Sequence, residues 1–441
     1  MRLNIKLLRV LTVAILAGAV PAGLSAQSSS INAFSPYSFY GIGDIITPGT
    51  ASMRSMAGAG LGFRSASEMN YINPASYGAI GQKSLLFSIS GEGQNYYLRS
   101  ADTKSSFNSF NIRDVGISMP LAKNLGFGLI VAPYSEVGYR VNVLDSDPVS
   151  HSDIGQVKYL YEGEGGITQF KAGIGWKITD RVLIGADIVY YHGNIRRYYQ
   201  QEIKRITGTG GYSQVNGSKT ERVNSFFGTF GIQADLISRA DTKLTLGATY
   251  QMGGNMNSDV TEYVLFKPTF SSGTAWQDYL RFSQDRSDFA LPNIYSAGLY
   301  LTRPKWSAAA DYSYSDWGNE NYSDITNDVT FHNTHTIKVG ARYTPNANDI
   351  RKYMNRITYR AGVRYSNYYM NIKGTPINET AFTFGLGIPL GKTGANKLDI
   401  GLEYGMRGEI TSGLIKENIF KFSIGFTLFG DDEWFVRYKY N

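Results

Sequence analysis

Apolar and polar residues alternate along much of the chain, so that an extended strand would carry one apolar face and one polar face. In the stretch FKFSIGFTLF, residues 420–429, Phe420 and Phe422 share one face, and Lys421 and Ser423 share the other. The same period of two recurs in further stretches, among them 356–366 and 397–407. This period predicts β-strands with one face buried, but soluble β-sandwiches alternate in the same way.

The connections between these stretches separate the two alternatives. Short turns such as 122–124 and 391–397 alternate with longer polar loops such as 144–156 and 265–283. Short periplasmic turns and long outer loops are typical of outer-membrane barrels. The sequence therefore predicts an all-β fold, a transmembrane antiparallel β-barrel of about fourteen strands over residues 83–429. The predicted strands are 83–99, 106–121, 125–143, 157–177, 182–199, 218–238, 243–264, 284–303, 305–317, 328–344, 355–372, 378–390, 396–412 and 414–429.

Such a sheet has to close on itself within a membrane. Hydrocarbon offers no partner to backbone N–H and C=O groups, so an open sheet edge cannot exist there. We therefore expect the first and last strands, 83–99 and 414–429, to pair. Aromatic residues near strand ends suit the girdles at the two membrane interfaces; they include Trp176, Trp306, Tyr343 and Tyr365.

The N-terminus predicts export. Basic residues precede or flank an apolar run, Val10–Val20, and small residues follow it. That order predicts a secretory signal peptide over residues 1–26, cleaved after Ala26. Export together with the predicted barrel indicates a protein of the cell outer membrane. The chain has no cysteine, so disulfides are excluded. Its formal charge of +7 is spread along its length, which does not predict nucleic-acid binding.

Residues 52–90 (SMRSMAGAGLGFRSASEMNYINPASYGAIGQKSLLFSIS) combine an Ala/Gly-rich stretch, a short polar link, an Asn-Pro-Ala turn and a strand. This pattern resembles the FadL family of long-chain fatty acid transporters, and residues 162–193 and 291–301 are also similar to it. The resemblance implies a fourteen-stranded barrel plugged by an N-terminal hatch, residues 27–82. Residues 430–441 would then form a periplasmic tail or an extra strand.

The resemblance assigns the turn Asn73, Pro74 and Ala75 to the hatch. An Asn side chain bonds nearby backbone and Pro fixes the turn, which suits a compact plug. The alternative is an ordinary turn that leads into the first strand. The family also has a kinked third strand, which gives solutes a route around the hatch or sideways into the bilayer.

Pro133 lies within the third predicted strand, 125–143. Proline cannot donate a ladder hydrogen bond, so it predicts a local defect in the sheet. One interpretation is a lateral gate at Pro133. The other is that Pro133 lies above the membrane, where an irregular backbone is harmless.

Several basic residues are predicted to face the lumen from two adjacent strands. This basic patch consists of Lys338, Arg342, Arg356, Arg360 and Arg364. Such a patch could bind a carboxylate head group. The alternative is that its charges pair with lumen acids and hatch acids; the candidates are Asp311, Asp399, Glu403, Asp44 and Glu68.

No catalytic motif is present. The sequence has no nucleophile elbow, zinc motif or phosphate-binding loop, so it predicts no enzyme, no cofactor and no bound metal. The loop around His151 is acidic and could hold calcium weakly, but a solvated acidic loop is the favoured explanation.

Two functions follow from the resemblance. The first is passive uptake of hydrophobic small molecules, such as long-chain fatty acids, through the plugged barrel. The second is a non-transporting role, because similar barrels serve as shuttle or accessory subunits of secretion and assembly complexes, such as the type 9 secretion barrels. The expected partners are outer-membrane lipid and lipopolysaccharide, a hydrophobic ligand and proteins of an outer-membrane complex.

Overall fold

The computed structural model describes residues 33–81, 84–101, 103–145, 156–204, 214–267, 277–285, 290–318, 329–349, 351–391, 395–410 and 413–430. The predicted signal peptide, the loop around His151 and the tail after Gly430 lie outside the described residues. Among the described residues, no helix has the length and apolar composition needed to span a membrane.

The described chain folds into fourteen barrel strands, three of which are interrupted. They are β1 (Leu85–Arg99), β2 (Lys104–Ala122), β3 (Leu125–Leu144), β4 (Gln156–Lys177), β5 (Val182–Lys204), β6 (Gln214–Arg239), β7 (Thr242–Gln251 and Ser258–Lys267), β8 (Gln277–Asp285 and Ile294–Thr302), β9 (Trp306–Ser315), β10 (Val329–Phe331 and Thr334–Tyr343), β11 (Thr358–Ile372), β12 (Thr375–Leu390), β13 (Asn396–Arg407) and β14 (Lys416–Gly430).

The barrel is closed. β1 and β14 pair antiparallel along their whole length, from Leu85 opposite Gly430 to Arg99 opposite Lys416. Each other strand pairs antiparallel with its neighbours in the chain. The predicted all-β fold, a closed antiparallel barrel of fourteen strands, is therefore confirmed.

Outward-facing side chains form an apolar belt. On β13, Leu402 and Tyr404 are exposed while Glu403 between them is buried. Such alternation follows from the pleat of a strand. Aromatic residues border the belt: Trp306 and Tyr343 lie opposite each other at the turn end of their strands, and Tyr365 lies nearer the other end.

The two ends of the barrel differ, although less regularly than predicted. We call the end with the turns 123–124 and 240–241 the short-turn end, and the opposite end the long-loop end. The connection 344–357 lies at the short-turn end and includes a 3-10 helix, Tyr353–Arg356. At the long-loop end, β11 and β12 are joined by a tight turn at Lys373 and Gly374, which have φ values of 51° and 72°.

Residues 33–81, which we call the N-terminal segment, contain little regular structure. They include two 3-10 helices, Pro36–Phe39 and Pro74–Ala79, one helical turn, Ala51–Arg54, and a two-residue strand, Asp44–Ile45. Most of their side chains are buried. Their contacts reach strands on all sides of the ring, as described below.

Candidate functional site

The Asn-Pro-Ala turn lies against the wall formed by β3 to β6. The Asn73 carboxamide oxygen accepts the Ala75 N–H at 3.1 Å and caps the 3-10 helix Pro74–Ala79. Its Nδ2 donates to the Leu61 carbonyl at 3.0 Å and to the Ile232 carbonyl of β6 at 3.1 Å. One side chain therefore closes the turn and also fastens it to the barrel.

A row of glycines makes this contact sterically feasible. Gly126, Gly175, Gly185 and Gly231 lie directly opposite one another on β3, β4, β5 and β6, and we call them the glycine floor. A Cβ added at Gly185 would lie 2.5 Å from the Ala75 nitrogen, and one at Gly175 would lie 2.5 Å from the Gly78 nitrogen. The helix 74–79 therefore rests on the backbone of the wall, at a distance that only glycine permits.

Elsewhere the N-terminal segment is held by buried ion pairs. Arg54 lies 3.1 Å from Asp114 of β2 and 3.6 Å from Glu92 of β1, and its Nη2 donates to Ser90 at 2.7 Å. Arg64 pairs with Asp235 of β6. Removing one member of a buried pair leaves its partner as an uncompensated charge, so these pairs resist separation.

Two further acids of the N-terminal segment have basic partners on the barrel. Glu68 lies 2.5 Å from Lys397 of β13 and 3.5 Å from Arg342 of β10. Burial alone would raise the pKa of the Glu68 carboxyl, but these two cations outweigh it and hold the pKa below its ordinary range. Asp44 lies 2.8 Å from Arg407, which also pairs with Glu417 at 2.6 Å.

Two arginines of the predicted basic patch are neutralised by acids of the barrel. Arg360 pairs with Asp399 at 2.6 Å, and Arg364 pairs with Glu379 at 2.8 Å and Glu403 at 2.9 Å. Four of the five predicted residues line the interior; besides these two arginines they are Lys338 and Arg342.

Arg356 does not belong to the patch. It ends the 3-10 helix that precedes β11, and its Nη2 donates to the Gly391 carbonyl at 3.0 Å near the barrel surface. The period of two in the sequence runs through this turn, although the strand begins only at Thr358.

Pro133 lies at a defect in the wall. The register between β3 and β4 shifts between Pro133 and Ser135, which makes Tyr134 an extra, bulged residue. The ladder between β2 and β3 runs from Ala122–Leu125 only to Val115–Val131. Beyond Val131, no ladder joins these two strands in the described part of the chain, and we call this opening the lateral gap.

The N-terminal segment covers the β3 side of the lateral gap. Asp44 and Ile45 pair antiparallel with Glu136 and Ser135, and the Ser35 N–H donates to the Gly138 carbonyl at 2.9 Å. Arg113 of β2 crosses the gap to Glu136 at 2.7 Å. Pro133 lies opposite Thr168, two pairs beyond the exposed Phe170 toward the long-loop end.

Two adjoining cavities, each of about 150 Å³, remain beside the N-terminal segment. Both are lined by Ile45, Tyr134 and Lys338. Charged and hydroxyl side chains contribute to both walls, including Asp311 and Lys171 in one of them. A 150 Å³ cavity has the size that holds a single benzene ring.

The long-loop half of the interior is filled by an apolar core. Tyr37 and Ile42 of the N-terminal segment pack there with barrel residues such as Trp317 and Tyr369, whose rings stack with centroids 4.5 Å apart. The interruptions of β7 and β8 contribute Met256 and Leu291, both fully buried. Residues of the N-terminal segment and of the barrel thus share one apolar core in this half.

These features define the class of protein: a closed, fourteen-stranded β-barrel with an apolar outer belt and an N-terminal segment packed against its inner face. Within that class, the chain belongs to the BamG family, which matches residues 5–441. The sequence resemblance predicted the FadL family, and the family that matches has a different name. No curated protein matches the chain in sequence.

Solved structures with a similar fold include two toluene transporters and a FadL homologue. The toluene transporter TodX of Pseudomonas putida has a TM-score of 0.58 at 14% identity, covering 89% of this chain and 98% of its own. The toluene transporter TbuX of Ralstonia pickettii has a TM-score of 0.54 at 16% identity, covering 86% of this chain and 98% of its own. A FadL homologue of Pseudomonas aeruginosa has a TM-score of 0.54 at 12% identity, covering 88% of this chain and 99% of its own. At these identities the likeness establishes the FadL-type fold.

Proposed function

We propose that this protein is a barrel of the bacterial outer membrane in which the N-terminal segment is a fixed plug, and that it serves as an accessory subunit in outer-membrane protein assembly. The observation that carries the proposal is the way the segment is held. Ion pairs anchor it to β1, β2, β6, β10 and β13, and its residues Tyr37 and Ile42 pack into the apolar core of the long-loop half.

The energetics support a plug that stays in place. Displacing the segment would separate Arg54 from Asp114 and Glu68 from Lys397, and each barrel charge that stays buried without its partner costs roughly 3–5 kcal/mol. Passive diffusion of a solute supplies no comparable free energy. Membership of the BamG family over nearly the whole chain is the comparison that supports the assembly role.

The test is depletion of the protein in its native host. We expect the amounts of other folded β-barrel proteins in the outer-membrane fraction to fall, as measured by quantitative mass spectrometry. Uptake of labelled fatty acid and of toluene should stay at the wild-type rate after correction for cell number. Unchanged barrel-protein levels together with lost uptake would refute the proposal and favour transport.

Passage of small hydrophobic molecules is the second candidate, because one observation favours it. The lateral gap begins at the bulge at Pro133, and Tyr134 of that bulge lines both cavities. A molecule of one aromatic ring could move from a cavity to the bilayer along this route. The cavity volumes favour such a ligand over a long-chain fatty acid.

Pro133→Val tests this second candidate. Valine restores a backbone donor and a residue that favours regular strands, so a transport route at the bulge should narrow and toluene uptake should fall. Leu129→Val, on the same strand and outward-facing, is the matched control. Equal uptake by both variants and the wild type would remove the gate at Pro133 from consideration.

A further inference from the structure

A groove of about 440 Å³ opens at the short-turn end, between the β6–β7 turn and the β8–β9 turn. Its basic lining residues are Arg239, Lys243, Arg303, Lys305 and Arg342, and its one acid is Asp241. Hydroxyl groups of Thr302 and Ser307 also line it. We call it the rim groove. It shares Arg342 with the plug contacts, but the proposed function makes no use of its other cations.

Three of the five cations are available to a ligand. Lys243 is engaged with Asp235 at 3.1 Å, and Arg342 with Glu68 at 3.5 Å. Arg239, Arg303 and Lys305 are exposed, and none of them forms an ion pair with a carboxylate among residues that the structure describes. Their positive charge is therefore left uncompensated on one side of the rim.

The rim groove lies where the apolar belt ends. Trp306 lines it and stands opposite Tyr343 in the aromatic girdle. The Arg303 guanidinium lies over the Trp306 ring, 5.8 Å from its centroid. Indole rings prefer the depth of lipid head groups, so the three free cations are at the depth of lipid phosphates.

The lipid-facing surface directly above Trp306 is shallow. The next outward positions on β9 are Ala308, beside Leu301 of β8 and Ala341 of β10, and Ala310, beside Leu299 of β8 and Val339 of β10. An acyl chain could lie over these alanines while its head group stays among the cations.

From these observations we propose that the rim groove binds the phosphate head group of an anionic phospholipid. Guanidinium and ammonium groups donate charge-assisted hydrogen bonds to phosphate oxygens, and Trp306 packs against the glycerol end of the acyl chains. The lipid would be held at one angular position on the barrel, beside β8 and β9. A free phosphate ion offers the same oxygens but no acyl chains.

The test compares two double variants of the full-length protein in detergent. Arg303→Gln with Lys305→Gln removes two cations of the rim groove. Arg351→Gln with Lys352→Gln removes two exposed cations from the connection 344–357 at the same end of the barrel and is the control. Native mass spectrometry would measure binding of phosphatidylglycerol and of phosphatidylcholine with the same acyl chains, with retained folding checked by the heat-dependent gel shift.

We expect the wild type and the control to bind phosphatidylglycerol in preference to phosphatidylcholine. The rim-groove variant should bind phosphatidylglycerol about 30-fold more weakly, which corresponds to two basic residues at a membrane surface. Inorganic phosphate at the lipid concentration should not displace the lipid. Equal loss in both double variants, or displacement of the lipid by phosphate, would each overturn the assignment.

Discussion

The N-terminal segment meets the barrel in two physically different ways. At residues 73–79 it lies on the glycine floor, where backbone touches backbone and only one amide side chain is involved. At Arg54 and Glu68 it is held by buried charges whose partners are side chains of β1, β2, β10 and β13.

The two kinds of contact differ in which substitutions they tolerate. A glycine floor specifies a distance, and a single added methyl group violates it. Buried ion pairs specify partners, because a charge left alone in the interior costs more than the pair contributes. Together they set both how close the segment lies to the wall and which part of the wall it faces.

The largest effect is expected from breaking the charged contact. Arg54→Ala leaves Asp114 and Glu92 buried with one cation fewer, so the free energy of unfolding should fall by about 3–5 kcal/mol. Urea titration in detergent, followed by tryptophan fluorescence, measures this. Arg140→Ala removes an arginine that is 58% exposed and paired with Glu162, and it should cost less than about 1 kcal/mol. Similar losses in both variants would contradict the importance of the buried pair.

The glycine floor should be the next most sensitive element. Gly185→Ala forces the wall and the helix 74–79 apart, and overpacking of this kind costs about 1–3 kcal/mol. Melting temperature and single-channel conductance in a planar bilayer would report the loss of stability and of sealing. Gly93→Ala is the matched control, because its nearest neighbouring atom would be 3.8 Å from the new Cβ. A wild-type melting temperature for Gly185→Ala would refute the close contact.

Asn73→Ala should have a smaller effect. It removes the cap on the Ala75 N–H and the donors to two carbonyls, for an expected loss of about 1–2 kcal/mol. The same unfolding titration measures it, with the exposed Asn348→Ala as control. If the two asparagine variants unfold alike, the turn is not held by this side chain.

The smallest effect concerns pH. Because the pKa of Glu68 is lowered in the folded protein, its stabilising contribution is complete above the unfolded-state pKa of about 4.3 and is lost as the pH falls below it. The bilayer conductance should therefore stay constant between pH 7 and pH 5. Glu68→Gln should raise the conductance at both pH values, and a wild-type rise already at pH 5 would contradict the assignment.

The strands could be predicted from the sequence because a membrane forces both period-two patterning and closure. The pairing of 83–99 with 414–429 followed from that argument and is present as β1 and β14. The interruptions at 252–257 and before Ile294 were not predicted. They place Met256 and Leu291 in the apolar core, a contact between distant parts of the chain that no local pattern encodes.

The candidate site was predicted less completely. Acids facing Arg360 and Arg364 could be proposed, because side chains on neighbouring strands share the lumen. Which acid meets which arginine depends on register, and the structure pairs them with Asp399, Glu379 and Glu403. The glycine floor was missed because its four glycines lie far apart in the sequence and align only across strands.

The pairing of Asp44 with Arg407 has a consequence for biogenesis. Asp44 lies near the start of the chain and Arg407 near its end. The Ser35 hydroxyl makes a second contact of this kind, because it donates to Glu417 at 2.8 Å. A chain interrupted before its last two strands would leave both early residues without these partners. The leading part of the polypeptide thus reaches its final position only when the last two strands are in place, which couples sealing of the interior to closure of the barrel.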